Sequence, residues 1–382
     1  MIFSSRLPKD LSESPFFKAL EEEKQKSPYI DLTVSSPLKA GILSDISFEY
    51  IEKKWTSKEV SAEGSLLVRQ AICDYYASRF GVFSPEQVMI SSGTSEAYSF
   101  LFKTFCDPGD VILTPMPGYP LLDTLANLEY LSCYPYFLDY NEESLSFSLD
   151  SQTLLSAPER AKILLLVSPH NPTGHVVSEL EWKQIISFCE ERSLVLVVDE
   201  VFGDYCYDGK PRSWSYDCGT VPVFWLNGLS KTVGNPHLKL SWMVFKAPED
   251  QFEKIREALT FVADAYLSVS SGAQAAALDL LPKADSIQER VVSRLKQNLD
   301  ALKTMFPHAP IVQGGWYASI CCDAYDDESL VLEILKENRL LVQPGFFFDF
   351  SEDGWLVISL LSSPEDFLFG LKTIAPFVNQ NQ

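Results

Sequence analysis

Four histidines in 382 residues leave little material for metal binding, and none of them stands in an H-x-x-x-H pair or beside a cysteine cluster. A zinc site is therefore not expected. Positive charge is also scarce: 31 Lys and Arg face 52 Asp and Glu, a formal net charge of −21. Nucleic acid and anionic membrane surfaces need basic patches, so neither is expected as a partner. No apolar run reaches the eighteen or so residues of a transmembrane helix. The opening MIFSSRLPKDLSESPFF has no apolar core followed by a small-residue cleavage site, so no export signal is expected. The eight cysteines (73, 106, 133, 189, 206, 218, 321 and 322) contain no C-x-x-C pair and lie mostly among apolar neighbours, as in Phe188-Cys189. They are expected as buried free thiols in a reducing cytoplasm. Internal repeats and low-complexity tracts are absent.

What is present is ample core material, 46% hydrophobic and 13% aromatic, in a chain long enough for two packed units. Ser14 as cap and Pro15 at the first helical position predict a helix running to about Lys26. The pattern GSLLVRQAICDYYASRF, residues 64–80, predicts a second. From Val88 onward, short apolar runs alternate with helix-length segments. The runs are VMIS (88–91), VILT (111–114), ILLLV (163–167), LVLVV (194–198), PVFWL (222–226) and WMVF (242–245). Continuous apolar runs are what strands buried on both faces look like. With amphipathic helices such as SELEWKQIISFCEE between them, they predict a mostly parallel, doubly wound α/β sheet. Past Ala276 a long helix over about 284–306, with Asp285 and Gln288 spaced as a capping box, opens a mixed region of strands and helices. The expected division is a large domain, 45–280, and a smaller α+β domain made of 1–44 and 281–382.

Ligands of such sheets bind beyond the carboxyl ends of the strands. Ser92-Gly93-Thr94-Ser95 follows the first run and opens a helix, either as a plain cap or as an anion site. Tyr119, held between Gly118 and Pro120, is placed to stack on a flat ligand or simply to pack. Ser168-Pro169-His170-Asn171-Pro172-Thr173-Gly174 follows a third run and offers the Asn171 amide. Asp199 ends five apolar residues and needs a partner, whether a helix start or a cationic ring nitrogen. Lys231 follows PVFWL on a Gly/Ser turn. Taken alone it reads as a surface lysine; withdrawn from water, it could lose its proton and attack a carbonyl.

The order S-G-T-S-E-A, G-Y-P, S-P-H-N-P-T-G, V-D-E-V-F, then S-K with a basic residue eight further on resembles the class I/II aminotransferases, pyridoxal-phosphate enzymes of fold type I. The resemblance runs from about residue 30 to 365, including VQGGWY and VQPGFFFDF. It implies that Lys231 bonds covalently to pyridoxal 5′-phosphate and later carries the proton at the substrate Cα. Asp199 would pair with the ring nitrogen, Asn171 would donate to the phenolic oxygen and meet the substrate, and Tyr119 would stack on the ring. Gly93, Thr94, Ser95, Ser230 and Lys239 would hold the phosphate. It further implies a homodimer that takes an amino donor and a 2-oxo acid acceptor.

This chain departs from the family pattern at four places. Lys239 replaces an arginine, and Gly228 stands where a phosphate-binding serine is common. Phe202 replaces a tyrosine that would reach the phenolic oxygen. Val357 stands where the family places the arginine that clamps the substrate carboxylate. Either the substrate carries its acid group elsewhere or lacks one, or it is bound by Lys39 or by main-chain N–H groups near Ser35 and Ser36, which is the expected reading. Two rival readings follow: a carbon–sulfur β-lyase or cyclopropane-forming synthase on the same fold, and a family member retained for binding or regulation.

Overall fold

The computed structural model describes residues 4, 6–7, 13–43, 61–77, 81–207, 213–322 and 326–378. The expected domain boundary at residue 45 and the end of the predicted 64–80 helix lie outside them. Thirteen strands occur among the described residues: β1 Ile30–Asp31, β2 Val88–Ser91, β3 Val111–Met116, β4 Ser132–Asn141, β5 Ser146–Leu149, β6 Ala161–Val167, β7 Val195–Asp199, β8 Val223–Gly228, β9 Ser241–Lys246, β10 Tyr317–Cys321, β11 Leu340–Leu341, β12 Gln343–Pro344 and β13 Trp355–Ser359.

Eight of them form one sheet in the order β2-β9-β8-β7-β6-β3-β4-β5. Its centre is parallel, with β9 inserted antiparallel between β2 and β8. The reason these strands read as continuous apolar runs is visible in the core. Leu196, Val198, Val223 and Trp225 belong to one buried cluster, and Val195, Val197, Phe224 and Leu226 to another on the opposite face. Alternate side chains point to opposite faces of a strand, so both faces of β7 and β8 are dry. Helices Thr94–Phe105, Glu179–Arg192 and Glu249–Asp264 supply cover.

All six predicted strands are present, several one or two residues longer than expected. The paired strands β4 and β5 were not predicted. They sit at the sheet edge with mixed burial, and Pro135 and the tyrosines of SCYPYFLDYN obscure the pattern.

A second sheet, β10-β13-β12, is antiparallel, and β1 pairs with β11 in parallel. The N-terminal segment is thereby tied to the C-terminal region. The Ser359 N–H donates to Leu32 O at 2.7 Å, and the Ser359 hydroxyl donates to Val34 O. The capping box expected at Asp285 and Gln288 does not form. Helix Ala284–Met305 continues directly out of the turn Leu281–Lys283, so no free helix start lies at Asp285. Gln288 Nε2 instead donates to Thr232 O at 3.0 Å.

The eight cysteines are free thiols, four buried and four partly buried. Among the described residues, no helix is long and apolar enough to cross a membrane.

Candidate active site

A cavity of about 320 Å³ opens at the carboxyl ends of the central strands. The turns that follow β2, β3, β6, β7 and β8 deliver Gly93, Thr94, Ser95, Tyr119, Asn171, Asp199, Ser230, Lys231 and Lys239 to its wall. Five separate stretches of sequence thus converge on one space. Ser35 borders the same cavity; Ser36 and Lys39 are not among its lining residues, and Lys39 is exposed.

At one end lies the helix Thr94–Phe105, whose first turn has Gly93 as cap residue and no side-chain cap. Its leading N–H groups are therefore available, and the helix dipole adds partial positive charge there. Lys239 reinforces that end: a Cβ added to Gly93 would come within 3.5 Å of Lys239 Nζ. Lys239 is itself held in left-handed backbone (φ 50°) after a one-turn helix capped by Asn235.

Asp199 ends β7 and reaches the deep side of the cavity. One carboxylate oxygen accepts from the Val201 N–H at 3.0 Å, the other from the Tyr98 hydroxyl at 2.8 Å. Withdrawal from bulk water raises its carboxyl pKa, while the two hydrogen bonds and the charge of Lys231 oppose the rise.

Lys231 follows β8 on a four-residue helix, Leu229–Thr232. The Tyr205 hydroxyl donates to its carbonyl at 2.6 Å, anchoring the turn. Its Nζ donates to Ser35 O at 3.4 Å and lies over the rings of Trp316 (4.6 Å) and Phe202 (5.2 Å). Burial pulls the ammonium pKa down from 10.5 to about 8, against the opposing pull of Asp199. An amine so placed is partly free base near neutral pH, as a nucleophile must be.

Tyr119 stands on a turn that requires Gly118, because a Cβ there would strike the Pro115 carbonyl oxygen. The Gly118 N–H donates to Phe348 O at 2.7 Å, tying this turn to the segment after β12. Asn171 places its buried side-chain oxygen in the cavity wall without a hydrogen-bond partner. Val357 is fully buried in β13, paired with Ser319 and Gln343 on either side. Lys231 and Lys239 are the cationic side chains among the described lining residues.

Several lining residues were not anticipated: Tyr98, Leu121, Leu122, Ser241 and Tyr317. Ser241 explains Gly228. The two are opposite each other in the β8–β9 register, and a Cβ on Gly228 would lie 2.9 Å from Ser241 Cβ and 3.0 Å from its Cα. Ser241, on the antiparallel neighbour, thus lines the cavity beside Gly228. A glycine closing an apolar strand directly before the lysine turn is the signal that could have prompted a search for such a partner.

The family model described as aminotransferase class I and II matches residues 56–367. The tyrosine aminotransferase of Caenorhabditis elegans is 25% identical over 333 residues, covering 84% of this chain and 70% of that protein. The glutamate-pyruvate aminotransferase AlaA of Escherichia coli K12 is 25% identical over 377 residues, covering 95% and 93%. Among solved structures, an alanine aminotransferase from Pyrococcus furiosus superposes with a TM-score of 0.83 over 94% of each chain, at 24% identity.

Proposed function

Since the chain belongs to the class I and II aminotransferases, an enzyme family of fold type I, we propose that it moves an amino group from an amino acid or amine to a 2-oxo acid, with pyridoxal 5′-phosphate held around Lys231. The observation that carries this reading is the convergence of a lowered-pKa lysine, a carboxylate and an uncapped helix start in one cavity.

The residues present fit the cofactor. The uncapped start of helix Thr94–Phe105, with Lys239 Nζ beside Gly93, is a feature that protein groups alone leave incomplete. Gly93, Thr94, Ser95, Ser230, Ser241 and Lys239 would hold a phosphate through N–H groups, hydroxyls and charge. Asp199 would face a cationic ring nitrogen, Asn171 the phenolic oxygen, and Tyr119 the ring face. When bound, pyridoxal phosphate supplies an electrophilic carbon and an electron-withdrawing ring.

Lys231 then has two tasks, attack by its free base and transfer of a proton to and from the substrate Cα. A pKa of about 8 suits both, because each protonation state is populated near neutral pH. Asp199 keeps negative charge beside the ring nitrogen. Phe202 offers no hydrogen-bond donor, so the phenolic oxygen would lack a second partner and be the better base. The segment Ser35–Lys39 is our proposed seat for the substrate carboxylate, since Ser35 borders the cavity beside Lys231.

We extend the reading to a homodimer of the reducing cytoplasm, with 45–280 as the cofactor-binding domain and 1–44 with 281–382 as the smaller one. The β1–β11 pairing supports that division, and the free thiols support a reducing compartment. The net charge of −21 supports small-molecule substrates in preference to nucleic acid or membrane.

Mixing the holoenzyme with donor alone tests the reaction type. Formation of pyridoxamine phosphate with one equivalent of oxo acid is expected. Pyruvate and ammonia released over many turnovers would assign the protein to the lyases instead.

A further inference from the structure

Tyr98 lies one turn into the helix Thr94–Phe105, and its hydroxyl reaches across to the last residue of β7. The side chain is 4% exposed and borders the cavity. Its O–H donates to one Asp199 oxygen at 2.8 Å while the Val201 N–H donates to the other at 3.0 Å. A carboxylate held at both oxygens by donors on rigid elements cannot rotate, and each oxygen keeps a further lone pair. We infer that Tyr98 is a positioning residue for Asp199: its hydroxyl fixes the carboxylate's orientation and stabilises its negative charge toward a cationic ring nitrogen in the cavity. The inference rests on the pyridoxal-phosphate reading of this site.

The physical argument is one of compensation. A carboxylate withdrawn from water tends to take up a proton, and hydrogen bonds to the charged form oppose this. Among the described residues, the charged or titratable groups acting on Asp199 are Lys231 beyond β8, Tyr98 and Tyr119, with Tyr136 behind Tyr98. The Lys231 ammonium is itself partly discharged near neutral pH, so its support is incomplete. Tyr98 supplies a donor at every pH at which the enzyme works, because burial and the nearby carboxylate hold its hydroxyl well above the usual phenol range. The alternative is that Tyr98 is a core aromatic whose hydroxyl merely finds a convenient acceptor.

The two are separated by ligand binding to the cofactor-free full-length protein. Pyridoxamine 5′-phosphate, which makes no bond to Lys231, is compared with an analogue in which carbon replaces the ring nitrogen, between about pH 5 and pH 9. Wild-type protein should prefer the nitrogen ligand. In Tyr98→Phe that preference should fall about tenfold, the scale of one hydrogen bond to a charged group. The acid limb of pyridoxamine phosphate binding should also move about one unit up in pH, as the carboxylate protonates earlier. Affinity for the carbon analogue should stay within about threefold, and Tyr98→Phe should add nothing in an Asp199→Asn background.

An unchanged preference in Tyr98→Phe overturns the inference, as does an equal loss for both ligands. If wild-type protein itself makes no distinction, the Asp199 reading fails first and takes this one with it. Should Tyr98→Phe not fold, replacement of Tyr98 by 4-aminophenylalanine decides. That ring keeps a donor, so retained preference sustains the inference and a preference as low as that of Asp199→Asn overturns it.

Discussion

Replacing Lys231 by methionine in the cofactor-free protein should change thermal stability in a way that depends on pH. The lysine's pKa falls from 10.5 unfolded to about 8 folded, with burial as the cause. Between those values the unfolded chain binds more protons than the folded one, so wild-type stability rises with pH through the window. Below about pH 8 the folded protein carries an ammonium in poorly hydrated surroundings. At about 1.4 kcal/mol per unit, the full shift corresponds to between about 3 and 4 kcal/mol as an upper bound. Because the side chain is partly open to the cavity, about 1–3 kcal/mol is the expected range. With an unfolding entropy of about 2 cal/mol/K per residue over 382 residues, that is a Tm difference of roughly 1–4 °C. Lys231→Met, which titrates nothing and keeps the stem's bulk, should therefore gain on wild type by that amount at about pH 7. The gain should shrink toward about pH 10. Scanning calorimetry of both proteins across the range provides the test. A difference that does not vary with pH, or one that grows as pH rises, would refute the reasoning that Lys231 is held charged against its surroundings.

Two further outcomes can be checked. Gly228→Ser should destabilise the protein by about 1–3 kcal/mol through collision with Ser241, and adding Ser241→Gly should recover most of it; a neutral single variant in a denaturant melt contradicts the register argument. Lys39→Ala should raise the KM for a carboxylate-bearing donor up to about fivefold while leaving kcat little changed, the scale of an exposed ion pair; unchanged KM would count against the Ser35–Lys39 seat.

Much of this site could be read from the chain because its parts sit where strands end. Lys231, Asp199, Asn171, Tyr119 and Gly93 each follow an apolar run, and parallel strands place those ends on one edge. Residues that act across the fold were hidden. Tyr98 looks like one more aromatic on a helix's buried face, and its meaning depends on a partner 101 residues away. Ser241 acquires its place through antiparallel register with Gly228, which strand patterns alone do not specify. The capping box at Asp285 failed for a similar reason, since local spacing does not report that the chain enters already helical from Leu281. Strands β4 and β5, the last two of the sheet, escaped because partial burial breaks the alternation on which strand recognition depends.

Reduction of the purified holoenzyme with borohydride, followed by peptide mapping, tests the central claim most directly. A pyridoxyl group on Lys231, absent from Lys231→Ala, is the predicted result. A protein that takes up pyridoxal phosphate yet carries the reduced label on another lysine, or carries none, would contradict it.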